Sequence, residues 1–328
     1  MSLAQTTILS CNRLMNTAVS INEGYERAAD ILRSGGIVAV PTETVYGLAA
    51  DATNAEAVTS IYTAKGRPSF NPLICHVSGL EMAQRFGTFD ELAERLAQRF
   101  WPGPLTIVVP LKADTGIADA VSAGLPTIAL RQPHGVMAKL AGTLDVPLAA
   151  PSANSSGRIS PTEAQHVVND LGNKVALVLD GGACEVGLES TIVKVSDGDV
   201  VLLREGGVTA EELETFLGAP IKKTVTNAKV EAPGQLLAHY APSLPIRLNA
   251  TEVKEGEALL AFGQQDAEHP IMLNLSDEGD VEEAAHNLFS MMQELDKSDA
   301  KGIAVQPIPD AGLGAAINDR LKRAAHRD

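Results

Sequence analysis

Aromatic residues make up only 4% of this 328-residue chain, and cysteine is scarcer still, with three. Cys11, Cys75 and Cys184 lie far apart, form no C-x-x-C pair and leave an odd count. That excludes a cysteine-rich zinc site and fits a reducing compartment. No apolar run reaches the ~18 residues that a membrane helix needs. The opening MSLAQTTILSCNRLM has no charged stretch followed by an apolar one, so neither anchorage nor secretion is expected and the reading is a cytoplasmic protein. Basic residues are outnumbered, 26 against 41 acidic, for a formal charge of −15. A broad grip on nucleic-acid phosphates is disfavoured, while a local basic pocket for a small anion stays open.

Familiar motifs are missing as well. There is no G-x-x-x-x-G-K-[ST], no H-E-x-x-H and no G-x-S-x-G, and the GLGAAI of Gly312 to Ile317 lacks the last glycine of a dinucleotide fingerprint. These absences argue against a Walker-type or Rossmann-type nucleotide site, an ordinary serine hydrolase and a zinc enzyme.

What is present is aliphatic and punctuated by glycine: 45% hydrophobic residues with 28 glycines, the composition of an α/β protein. The length suits roughly two domains. GYERAADILRSG predicts a helix stopped at Gly35-Gly36, IVAVP a buried strand, NAEAVTSIYTAKG a helix capped by Asn54, and NPLICHVSG a strand. TFDELAERLAQRFWPG reads as a helix ended by Pro102 and Gly103. LTIVVPL, TIALRQP, PLAAPSAN and VALVLDGG add strands, and STIVKVSDGDVVLLREG adds a hairpin around Asp197-Gly198, so the sheet is expected to be mixed. This first domain is placed at 1–219. A proline-bearing linker, 220–245, follows. Over 246–328, EALLAFG, PIMLNLS and GIAVQPIP read as strands and DVEEAAHNLFSMMQELDKS and GAAINDRLKRAA as helices of a small parallel sheet.

Polar loops follow the expected strands, where α/β sheets place their ligands. They are PTETVYG from Pro41, KGRPSFNPL from Lys65, LRQPHG from Leu130, PSANSSGRISP from Pro151 and GLEST from Gly187, then LLREGG from Leu202. Lys65 and Arg67 follow a helix and could serve only its dipole. On a loop stiffened by Pro68 and Pro72 they also present a point charge and a planar fork to one anion, as a triphosphate requires. The hydroxyls and amide of Ser152, Asn154, Ser155, Ser156 and Ser160 are ordinary turn formers singly and a phosphate-binding set together. Arg204 is either a strand-end charge or an anion ligand. His76 reads as a core histidine or a ligand. Arg131 suits a carboxylate, and Thr44 and Ser190 suit a small polar amino acid. Glu43 and Glu189 fit equally as partners for these cations and as catalysts.

Taken in order, PTETVYGLAADA, KGRPSFNPL, WPGPLTIVV, ALRQP, PLAAPSANSSGRISPT, GLESTIV and LLREGG resemble the signature blocks of the YrdC-like domain of threonylcarbamoyl-AMP synthases. APGQLLAHYAP and LGAAINDRLKRAA resemble the two-domain form of that family. The resemblance implies an α/β fold, a twisted mixed-sheet YrdC-like domain followed by a smaller Rossmann-like α/β domain. It implies an enzyme that makes threonylcarbamoyl-adenylate and pyrophosphate from L-threonine, bicarbonate or CO2, and ATP with Mg2+, for downstream tRNA-modification proteins. It places Lys65, Arg67, Asn71, Ser152, Asn154, Ser160, Arg204 and Tyr240 near ATP, with Lys65 and Arg67 also catalytic. It places Thr44, His76, Arg131 and Ser190 around threonine, with no protein metal site. The linker is expected to close as a lid, with Tyr240 on the nucleotide. The alternative is an RNA-binding or ribosome-maturation module, against which the acidic balance weighs, and a carbamoyl-transfer domain is a further enzyme reading.

Overall fold

A computed structural model describes residues 18–196, 198–223, 232–234, 239–266 and 269–326. Among them, eleven strands form one mixed sheet in the spatial order Val19–Ser20, Leu177–Asp180, Val38–Val40, Gly47–Asp51, Leu148–Ala149, Ile74–His76, Thr127–Arg131, Leu105–Pro110, Thr191–Ser196, Asp199–Arg204 and Lys222–Lys223. Parallel and antiparallel neighbours alternate irregularly across it. Ile246–Arg247, Gly302–Val305, Glu257–Ala261 and Met272–Asn274 make a separate, wholly parallel sheet.

Local chemistry explains the element ends. Asn54 caps the helix Ala55–Lys65 by accepting from the backbone N–H groups of Glu56 and Ala57, and Gly66 closes it with φ +62°. Asp90 caps Glu91–Phe100 by accepting from Ala93 N. The hairpin pairs Ser196 with Asp199, with Gly198 at φ +77°, while Asp197 falls outside the described residues.

Some elements carry no expectation from the sequence. Gly47–Asp51 is a strand made of GLAAD, whose small residues lack the β-branched and aromatic signature. The helices Leu80–Phe86, Ala164–Leu171 and Ala210–Leu217 span only two turns, too few to display a period. Val136–Leu144 is slightly longer and uniformly mixed in character. PLAAPSAN contributes only the strand Leu148–Ala149.

The large sheet and its helices enclose one core. The core around the small sheet reaches across the chain: Val45, Ile159, Leu188 and Tyr240 pack in it beside Leu288, Phe289 and Ile317. Each of the first three lies in a polar loop singled out above. The loops are therefore anchored by the second half of the protein. Gly187 marks a close approach, since a Cβ there would lie 2.5 Å from His286 O, and its φ of +75° also favours glycine.

Candidate active site

Ile74–His76 and Thr127–Arg131 run parallel with His76 opposite Arg131, so both residues reach the same end of the sheet. Thr44 arrives on the loop after Val38–Val40, Ser190 just before Thr191–Ser196, and Arg204 at the bulged end of Asp199–Arg204. All five line one cavity of about 50 Å³ together with Arg67, Ser152, Glu189, His239 and Tyr240. This brings together the whole expected threonine set and four of the residues expected near ATP. The other four, Lys65, Asn71, Asn154 and Ser160, stand behind its wall.

Lys65 is buried with its Nζ donating to Ser152 O at 2.5 Å and to Asn154 O. Burial first, and then Arg67, push its pKa well below the ordinary lysine value. Arg67 donates from Nε to Asn71 O at 3.3 Å and from Nη2 to Pro72 O at 3.0 Å. Burial lowers its pKa to about 10, still a cation at neutral pH. Asn154 donates to Ser155 O and Arg158 O and lines a second cavity, of about 350 Å³, shared with Gln293 and Asp296. Ser160 donates to Glu189 Oε1 at 2.5 Å.

Arg131 is engaged on all three nitrogens. Nε donates to Gly103 O at 3.1 Å and Nη1 to Thr44 Oγ1 at 2.9 Å, while Nη2 lies 2.7 Å from Glu43 Oε1, a charge contact off the line of a hydrogen bond. Thr44 Oγ1 also meets Thr42 Oγ1 at 2.8 Å. Arg204 donates to Ser190 O from Nε and Nη2, at 3.1 and 2.8 Å, and to Pro233 O from Nη1 at 3.3 Å. Ser190 Oγ is 2.7 Å from Thr106 Oγ1.

Burial, with Arg131 beside it, lowers the His76 pKa to about 3, and burial does the same for His239. Both are neutral imidazoles whose Nδ1 atoms are buried without a partner. A buried polar atom without a partner is costly, so these two are where a ligand on the cavity wall would repay the most. Cys75 and Cys184 are buried free thiols with pKa values pushed up to about 12, which rules them out as nucleophiles at neutral pH. Among the described residues no group of three or more His, Cys, Asp or Glu side chains is placed to hold a metal, and no helix is long and apolar enough to cross a membrane.

Sequence reasoning missed Arg320 and His239. Arg320 had a signal: it falls on the apolar stripe of its helix, with Ala316, Ile317, Leu321 and Ala324 all buried. His239 had only its place beside Tyr240.

Residues 30–206 match a family model described as "Telomere recombination", the Sua5/YciO/YrdC domain, and residues 208–326 match the "Threonylcarbamoyl-AMP synthase, C-terminal domain" model. The chain is 38% identical over 319 residues to the threonylcarbamoyl-AMP synthase of Bacillus subtilis, covering 91% of this chain and 92% of the relative. It is 38% identical over 342 residues to that of Pyrococcus abyssi, covering 95% and 98%. The crystal structure of P. abyssi Sua5 complexed with L-threonine superposes with a TM-score of 0.83 at 37% identity, over 91% of this chain and 93% of that one. These relatives make the protein an enzyme of the class that forms an adenylate. The chain belongs to the threonylcarbamoyl-AMP synthase family, in its two-domain form.

Proposed function

We propose that this protein condenses L-threonine, bicarbonate or CO2, and ATP into threonylcarbamoyl-AMP and pyrophosphate, for delivery to proteins that modify tRNA. The observation that carries this reading is the convergence of Arg67, Arg131 and Arg204 on one small cavity in a protein of net charge −15. Such a concentration of guanidinium groups suits a triphosphate beside a carboxylate. The P. abyssi relative described as complexed with L-threonine supports the amino-acid half.

In this reading Arg67 and Arg204 face the phosphates and Lys65 braces the Ser152–Asn154 turn from behind, donating to the carbonyls of Ser152 and Asn154. Asn71, Ser152, Asn154 and Ser160 shape that wall, and Tyr240 covers it. Thr44, His76, Arg131 and Ser190 surround threonine. The threonine amine takes up CO2 and releases a proton to give a carbamate. A carbamate oxygen then attacks the α-phosphorus and pyrophosphate leaves with the electron pair of the broken P–O bond. Positioning and neutralisation of charge supply the catalysis, so no covalent nucleophile is called for. Mg2+ would enter with ATP and supply charge neutralisation. Glu43 and Glu189 are committed to arginines, so its ligands would be phosphate oxygens and water, as is usual for this ion. The division at residues 219 and 245 into catalytic domain, linker and tail domain belongs to the same proposal.

The test is pyrophosphate release with ATP and bicarbonate against each amino acid in turn. Turnover with L-threonine is expected. Tight, salt-dependent tRNA binding without turnover would support the RNA-binding module instead.

A further inference from the structure

We propose that Glu43 is a positioning residue that decides which ligand Arg131 accepts. Its carboxylate cancels the charge of the arginine without filling its donors, which reserves Arg131 for a zwitterionic amino acid and denies it to phosphates. The proposal rests on the functional reading above for what the cavity binds.

Three arginines line the cavity, and they are wired differently. Arg67 and Arg204 donate to neutral oxygens: Arg67 to the carbonyls of Asn71 and Pro72, Arg204 to those of Ser190 and Pro233 and to Ser190 Oγ. Neutral oxygens hold a guanidinium in place and leave its net charge intact. Among the described residues, Arg131 is the one of the three in an ion pair. Both side chains of that pair are only 4% exposed, so water and salt screen it little. Yet the 2.7 Å contact between Nη2 and Glu43 Oε1 is off the line of a hydrogen bond, and both atoms are buried without a hydrogen-bond partner. Nε and Nη1 are taken by Gly103 O and Thr44 Oγ1, so Nη2 is the nitrogen with N–H groups to offer a ligand.

The carboxylate is fixed where it is. Glu43 Oε2 accepts from His134 N at 3.1 Å, and Glu43 O accepts from Val186 N at 2.8 Å. Thr42 Oγ1 accepts from the backbone N–H groups of Thr44 and Val45, which closes the turn around Glu43. Thr42 and Thr44 line the cavity and Glu43 does not, so its action on a ligand passes through Arg131. A bare guanidinium beside Arg67 and Arg204 would draw any polyanion, and ATP or pyrophosphate would then settle in the place of threonine. Discrimination between two ligands gains from an element that repels the wrong one. Glu43 supplies it. Its negative charge opposes a phosphate, whereas a zwitterion carries no net charge to be opposed and its carboxylate still finds the Nη2 donors.

The test is calorimetric titration of the full-length protein with inorganic pyrophosphate and with L-threonine, each alone and each in the presence of the other. In the unaltered protein the two are expected to bind without displacing each other, and mutual displacement there would overturn the proposal. Glu43→Gln keeps the shape and removes the charge. Pyrophosphate is then expected to bind ~10-fold tighter or more, the scale of relieving one close like-charge contact, and to displace threonine. Glu43→Asp keeps the charge and is expected to keep the two ligands independent. Unchanged pyrophosphate binding in folded Glu43→Gln, whatever happens to threonine, would reduce Glu43 to a support of the fold. Because a buried arginine left without its carboxylate can prevent folding, Glu43→Gln is also combined with Arg131→Gln, which removes both charges. Pyrophosphate affinity is expected to stay at the wild-type value in that pair, and a fall of ~10-fold would show that Arg131 already attracts phosphates past Glu43, against the proposal. If the unaltered protein binds pyrophosphate and no threonine, the functional reading fails, while the pyrophosphate affinities of the variants still decide what Glu43 does.

Discussion

Arg131 illustrates how much one side chain is asked to hold. Its guanidinium spans Gly103 O, Thr44 Oγ1 and Glu43 at once, and a lysine ammonium, a single point of charge, cannot reproduce that span. Arg131→Lys is expected to weaken threonine binding by ~10- to 100-fold, the range of one or two charge-assisted hydrogen bonds, and ATP binding by much less. Calorimetric titration of each ligand checks this, and equal losses for both would make Arg131 a support of the fold. His76 and His239 give a second expectation. Their folded pKa values of about 3 lie below the ordinary histidine value of 6.5, so between these limits the unfolded chain binds more protons than the folded one. Stability is complete above pH 6.5 and is lost as pH falls toward 3. Replacing His239 by Gln should flatten the fall of melting temperature with acid over that window, and an unaltered slope would mean that His239 does not titrate on unfolding.

At the scale of elements, the linker carries the expectation of a lid. Pro233, Gly234, His239 and Tyr240 line a cavity of about 50 Å³, below the ~300 Å³ of typical ligand pockets, so the proposed use of this cavity by ATP calls for movement of these residues. Proteolysis around Ala232 to Pro242 should slow when threonine and ATP are both present, and Tyr240→Ala should impair the use of ATP. Cleavage indifferent to both ligands would mark the segment as a tether. The long periodic helices and the apolar strands were legible in the sequence because their patterns run over three turns or carry β-branched residues, as in Glu91–Phe100 and Thr191–Ser196. GLAAD and the two-turn helices were not, because tertiary packing and not local preference fixes them. The cavity residues were legible as loops rich in hydroxyl, amide and guanidinium groups. Their mutual wiring was not: nothing local tells that Glu43 belongs to Arg131, or that Glu189 belongs to an arginine 131 positions away.

For the molecule as a whole, the tail helices are bound to the polar loops of the large sheet by Arg320 with Glu189, by His286 Nδ1 with Glu185 O at 2.9 Å, and by Gln293 Nε2 with Ser160 O at 3.3 Å. Heating should therefore unfold both halves in one calorimetric transition, and two separated transitions would show that each half stands alone. Glu189, held down to about 2 by Arg320 and Arg204 against the opposing effect of its burial, adds to this union above pH 4.5 and withdraws its contribution as the pH falls toward 2. The core that takes in Val45, Ile159 and Leu188 beside Phe289 has a consequence for inheritance. A tail domain transplanted from a relative would have to receive three side chains contributed by loops foreign to it, so chimaeras joined at the linker should fail first by misfit of that core.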